Sequence, residues 1–159
     1  MKKIRTILIG LGNPYLGDDG VGVQVVRRLR EVGAHESLTL VELPVGGMRL
    51  MECMVGYDRA IIVDAVQTGR HEPGLVMKLK RAELDHSLHS TCSHDTNLEW
   101  ALETGRSLGL VLPSEIWGWG IEAGRVDTFG ERMSPAVVQA VLITVKAILT
   151  DLASFEDYS

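Results

Sequence analysis

Two periodicities divide the chain. Thr6-Ile7-Leu8-Ile9-Gly10-Leu11-Gly12 is a short apolar run closed by turn residues, the pattern of a strand buried on both faces. After the loop Asn13 to Gly17, Val21, Val25, Val26, Leu29 and Val32 recur at helical spacing, with Arg27, Arg28, Arg30 and Glu31 among the polar positions and Gly33 as a stop. The alternation continues with a strand over Leu38–Val41, a short helix over Met48–Met54 and a strand over Ala60–Val66. Gly69 to Pro73 makes a turn. Leu75 to Lys80 alternates apolar and polar residues, as a half-exposed and antiparallel edge strand does. Leu98, Ala101, Leu102 and Leu108 mark a helix ending near Gly109, Ile116–Ile121 a last strand, and Pro135–Leu152 a final helix. Ser134 is placed to cap that helix, with proline at its first position.

Strands and helices in this order predict an α/β domain, a three-layer α/β/α sandwich on a mostly parallel sheet of about five strands. The 159 residues contain no apolar-poor linker, no internal repeat and no low-complexity segment, so one domain spanning 1–159 is expected, with a frayed polar tail from Ser154. An apolar fraction of 45% with only 5% aromatic residues requires a core of aliphatic side chains and methionine. A formal charge of −5 argues against nucleic acid, whose affinity for proteins comes from cations that release phosphate counterions. Cys53 and Cys92 form no CxxC pair, which fits a reducing compartment. Arg5 interrupts the first apolar run, and Gly10, Gly12, Asn13 and Pro14 end it too early for a secretory signal. No segment is expected to span a bilayer, and a soluble, cytoplasmic monomer is expected.

The densest chemical signal is Gly10-Leu-Gly12-Asn13-Pro14-Tyr15-Leu16-Gly17-Asp18-Asp19-Gly20-Val21-Gly22. Its glycine spacing matches neither the dinucleotide fingerprint nor a phosphate loop, and two acids at a helix start would repel phosphate. At least one of Asp18 and Asp19 is expected to cap the helix. Asp64 follows four apolar residues near the end of the third strand, where open α/β sheets place ligands and where a charge needs a partner. His94 precedes a helix; in its first turn the dipole would favour the neutral imidazole that binds metals. His35, His71, His86 and His89 lie in polar loop segments and read as solvated, and Cys92 has no CxxC partner. Asp19, Asp64 and His94 could meet at one sheet edge, offering oxygen and nitrogen donors to a divalent ion such as nickel or zinc.

These motifs resemble those of the hydrogenase maturation endopeptidases, which remove a C-terminal peptide from the large subunit of nickel-iron hydrogenases. The resemblance covers nearly the whole chain. It rests on Gly10-Leu-Gly12-Asn13-Pro14 with Gly17-Asp18-Asp19-Gly20-Val21-Gly22, on Ile61-Ile62-Val63-Asp64-Ala65, on Ser93-His94, and on Met133-Ser134-Pro135. It implies that Asp19, Asp64 and His94 contact nickel, that the nickel is carried by the substrate precursor, and that no cofactor is permanently bound. Two departures stand out. The family commonly has Glu where this chain has Asp19, and its loop after strand two often carries Asp, Thr and Gly where this chain reads Glu42-Leu-Pro44-Val45-Gly46-Gly47.

On this reading Asp19, Asp64 and His94 dock the nickel-loaded cleavage site, and Asp18 or Asp64 activates water. Two rivals use the same residues differently. A non-catalytic nickel-dependent chaperone would hold the precursor without cutting it. A peptidyl-tRNA hydrolase shares the Gly10-to-Pro14 opening, but has a His-Asn pair where this chain has Asp18-Asp19 and glycines.

Overall fold

The computed structural model describes residues 3–34, 38–87, 97–124, 126, 129–130 and 132–156. Its central sheet has five strands in the order β2-β1-β3-β5-β4, with β1 Thr6–Leu11, β2 Thr39–Leu43, β3 Arg59–Val66, β4 Val76–Lys80 and β5 Glu115–Glu122. The first four strands in that order run parallel, and β4 is an antiparallel edge strand on β5, as its alternating sequence led one to expect. The helices are α1 Val21–Glu31, α2 Met48–Met54, α3 Arg81–Ser87, α4 Leu98–Ser107 and α5 Pro135–Glu156.

The period-2 alternation of the buried strands divides the core in two. Leu8, Ile61, Val63, Ala65 and Ile121 face α1 and α5; Ile7, Ile9, Leu11, Ile62 and Ile116 face the layer of α2, α3 and α4. β1 and β3 are apolar on both faces because helices cover both. The three-layer α/β/α architecture expected from the sequence is therefore observed.

Four expectations are corrected. His86 belongs to a helix, Arg81–Ser87, and not to a loop; the segment carries too few apolar residues to display a period, but its Leu84 is buried beneath the layer, and a Cβ on Gly118 of β5 would come within 2.6 Å of it. The last helix continues to Glu156, beyond the expected start of a frayed tail. Ser134 does not use its hydroxyl as a helix cap: the hydroxyl donates to Asp18, while the Ser134 carbonyl receives the N–H groups of Val137 and Val138. Lastly, Pro135–Phe155 is long and apolar enough to cross a membrane, with a mean hydropathy of 1.8. In this fold that composition supplies a packing stripe, with Val137, Ala140, Val141, Val145 and Ile148 buried in the α1–α5 core.

The glycines of the first motif bring α1 onto the strand ends. A Cβ on Gly22 would lie 2.4 Å from the Val63 carbonyl oxygen and 2.5 Å from that of Leu11. The start of α1 thus seats directly over the junction of β1 and β3, an approach only glycine permits.

Candidate active site

In the strand order, β1 connects forward to β2 on one side while β3 lies on its other side, so the carboxyl ends of β1 and β3 are the topological switch point, where open α/β sheets form their ligand crevice. Asp64 is on β3, one residue beyond Val63, which is the last β3 residue paired with β1. It is 5% exposed and therefore sits within the strand ends rather than on a free loop. Across β5 its register partner is Gly120, over which the Leu79 and Val66 side chains close.

Asp19 reaches the same crevice from the loop after β1. Residues Gly17–Gly20 form a 3-10 turn that leads into α1 and lies against β3. The Asp19 Oδ2 accepts the Asn13 N–H at 2.7 Å, which closes the loop on itself. Gly12, at φ +126°, makes this possible: a Cβ there would stand 1.9 Å from the Asp19 carbonyl oxygen. Asp19 is partly exposed, unlike its neighbour Asp18.

Asp18 is completely buried and turned elsewhere. Its Oδ2 accepts the Gly124 N–H at 2.8 Å and the Ser134 hydroxyl at 2.6 Å, and its Oδ1 accepts the Ser134 N–H at 2.7 Å. The expected capping by this acidic pair is not what forms. The N-cap of α1 is Gly20, without a side-chain cap bond, and Asp18 instead ties the β1–α1 loop to the end of β5 and the start of α5. A sequence offers no register between positions 116 residues apart, so local capping was the only partner it could suggest.

Sequence reading overlooked Glu122. This carboxylate, 2% exposed at the end of β5, accepts the N–H groups of Thr68 and Gly69, each at 3.0 Å, and the Thr68 hydroxyl at 2.9 Å. It shapes the loop that follows Asp64. The available signal was the one that exposed Asp64, a lone acid closing an apolar strand.

His94 and Cys92 lie outside the described residues, as do His35, His89 and the side chain of His86. The segment containing His94 is bracketed by described contacts. Asn97 caps α4 by accepting the Trp100 N–H at 2.7 Å, so the first turn of α4 starts at Leu98 and follows His94. Arg81 of α3 donates from Nε and Nη2 to the two oxygens of Glu99 at 2.5 and 2.6 Å, and Asp85 accepts the Glu99 N–H. Among the described residues no group of three His, Cys, Asp or Glu side chains could hold a metal, but the expected set includes His94. His71 is exposed, as expected. Burial, reinforced by Glu52, raises the Cys53 thiol above its ordinary range, leaving it a poor nucleophile.

The Arg81 hydrogen bonds hold the Glu99 carboxyl below the usual carboxylate range, against an opposing push from burial. A depressed carboxylate stabilises the fold above its unfolded pKa, and that contribution disappears as pH falls through the lower folded value. Both partners are about one-third exposed, so solvent screening limits the pair to about 1 kcal/mol or less. The melting temperature of Glu99→Gln should lie about 2 to 4 °C below wild type at pH 7. The gap should close in acid below the carboxylate range, and a gap that persists there would show that another interaction is responsible.

A family model described as hydrogenase maturation protease (HycI) matches residues 23–151. The chain belongs to the hydrogenase maturation protease family. Among its relatives, a putative hydrogenase maturation protease of Methanocaldococcus jannaschii is 31% identical over 86 residues, 53% of this chain and 55% of that protein. The hydrogenase expression/formation protein HupD of Rhodobacter capsulatus is 22% identical over 157 residues, 97% of this chain and 74% of its own length. The chain thus spans about half the length of the first of these relatives and about three quarters of the second. The crystal structure of a hydrogenase 2 maturation peptidase from Thaumarchaeota archaeon SCGC_AB-539-E09 superimposes with a TM-score of 0.67 at 26% identity, covering 94% of this chain and 98% of that one. The hydrogenase maturating endopeptidase HybD of Escherichia coli shares the fold, with a TM-score of 0.74, 24% identity and coverage of 95% and 93%.

Proposed function

We propose that this maturation protease is an endopeptidase that removes the C-terminal extension of a nickel-iron hydrogenase large-subunit precursor once nickel has been inserted. What supports the reading is the position of Asp64 beyond the last β3 residue paired with β1, together with the packing of the Gly17–Gly20 turn against β3. Two carboxylates at the β1–β3 crevice offer hard oxygen donors for a divalent ion presented by the substrate, and His94 adds a nitrogen donor. Nickel is part of the substrate, and no resident cofactor is needed: the enzyme reads the metal as the sign that assembly is complete.

Water activation falls to Asp64 in this scheme. Asp18 has both oxygens occupied by three donors and no exposed surface, so it serves as an anchor rather than as a base. Asp19, Asp64 and His94 contact the precursor's nickel and align the scissile carbonyl, and Asp64 also takes the proton of the attacking water. The chemistry is that of a carboxylate-assisted hydrolase without a serine or cysteine nucleophile. The protein works as a cytoplasmic monomer on a protein substrate, with no role for nucleic acid or a membrane.

Incubation with nickel-loaded and nickel-free precursor, followed by intact-mass measurement, tests the proposal. Loss of a C-terminal peptide from the loaded form alone is the expected result. Stable binding with no cleavage at any enzyme ratio would replace the protease by a chaperone.

A further inference from the structure

Past Val63 the pairing of β3 to β1 ends, whereas its pairing to β5 continues through Asp64↔Gly120 to Val66↔Glu122. The stretch Asp64–Val66 therefore projects beyond the β1 ladder with β5 as its sheet neighbour, and the chain leaves the sheet directly after it, at Gln67. A carboxylate on such an overhang is placed only as firmly as the turn that ends it.

Glu122 fastens that turn. Its carboxylate accepts the N–H groups of Thr68 and Gly69 and the Thr68 hydroxyl, and that hydroxyl oxygen in turn accepts the Arg70 N–H at 3.1 Å. Its main chain holds the other end of the β3–β4 loop: the carbonyl accepts the Gly74 N–H at 2.8 Å and the N–H donates to the Leu75 carbonyl at 2.9 Å. One residue thus closes the loop at both ends, and only the first closure uses the side chain. Strand alternation puts Glu122 on the face of Ile116 and Asp64 on the face of Ile62, and both isoleucines pack toward α2, α3 and α4. Glu122 and Asp64 therefore stand on the same face of adjacent strands, two residues apart in register. Burying a carboxylate is costly, and here three donors offset the cost. A loop that only joined two strands would lose little by wandering. One that ends the strand carrying the reacting group would lose much, since a displacement of about 1 Å can cost about a hundredfold in rate.

We propose that Glu122 is a positioning residue for the hydrolysis: by fastening Thr68 and Gly69 it holds the Asp64–Val66 overhang, and with it the Asp64 carboxylate, where it takes the proton of the attacking water. The inference rests on the endopeptidase reading. Glu122 acts through Asp64 and by accepting hydrogen bonds, not by its charge. Glutamine should therefore serve nearly as well, because its amide oxygen accepts both N–H groups and its NH2 can donate to the Thr68 hydroxyl oxygen.

Single-turnover cleavage of nickel-loaded precursor, run over a range of enzyme concentrations, separates the limiting rate from binding for wild type, Glu122→Ala, Glu122→Gln and Thr68→Val. Hydrogen exchange over residues 64–70, followed by mass spectrometry, reads the hold on the strand end directly. Glu122→Ala should lower the limiting rate about tenfold or more while the half-saturating concentration moves by less than about threefold, and exchange over 64–70 should accelerate. Glu122→Gln should keep the limiting rate within about threefold of wild type, with wild-type exchange. Thr68→Val, at an exposed position, should lose about threefold in rate, and it carries the test should the alanine variant fail to fold. An unchanged limiting rate in folded Glu122→Ala, or in Thr68→Val if the alanine variant is unfolded, would overturn the proposal. A glutamine variant as slow as the alanine variant would also overturn it, by making the charge of Glu122 the active feature. Absence of cleavage by wild type would refute the endopeptidase reading instead, and the exchange comparison would still decide whether Glu122 holds the Asp64 strand end.

Discussion

Replacing Asp64 by Asn should reduce cleavage of nickel-loaded precursor by about a thousandfold or more, because the amide keeps the shape of the carboxylate but neither takes a proton nor offers an anionic oxygen to nickel. General-base catalysis alone accounts for about 10²–10⁴ in rate. The residue lies 5% exposed among the strand ends, so the same substitution could act by unfolding the crevice. Single-turnover mass spectrometry should therefore be paired with thermal melting. An Asp64→Asn protein that folds like wild type and still cleaves at the wild-type rate would remove Asp64 from the mechanism. A folded variant that binds precursor without cutting it would show that Asp64 is needed for cleavage more than for holding the precursor.

The second large effect concerns Asp18 and is one of stability. Asp18→Ala would take the buried carboxylate away from the Gly124 and Ser134 N–H groups and the Ser134 hydroxyl, which belong to an exposed and a half-buried residue. Hydrogen bonds to an ionised acceptor contribute about 1.5–3 kcal/mol each at most; with the three donors partly open to water, their joint loss should cost about 3 kcal/mol, which for a domain of this size lowers the melting temperature by roughly 10 °C. Ser134→Ala removes only one of the three bonds and should cost about a third as much. The two substitutions share an interaction, so the double variant should fall short of the sum. A catalytic base would show the opposite signature, loss of turnover at unchanged stability. Circular-dichroism melts alongside cleavage rates separate the two, and an Asp18→Ala protein with wild-type melting and no activity would restore Asp18 as a base.

The distinction between Asp18 and Asp64 illustrates what can be read from a sequence. Asp64 stood out because four apolar residues precede it, and a charge after a buried strand is costly without a purpose. Asp18 and Asp19 formed one motif in which nothing local separated their roles. In the fold, the neighbours diverge: Asp18 turns into the body of the protein and Asp19 remains at the loop surface. Glu122 was hidden for a similar reason, since its partners Thr68 and Gly69 lie 54 and 53 residues away.

The layers, the edge position of β4, the glycine-dense loop ahead of α1 and the neighbourhood of Asp64 were all legible in the chain, because each is written in local periodicity or in residue types with narrow conformational use. The helix Arg81–Ser87, the anchoring of Asp18 and the pairing of Leu16 with Gly130 emerge only in three dimensions. They depend on contacts between distant segments, whose register is set by the packing of the sheet and carries no periodic signal along the chain.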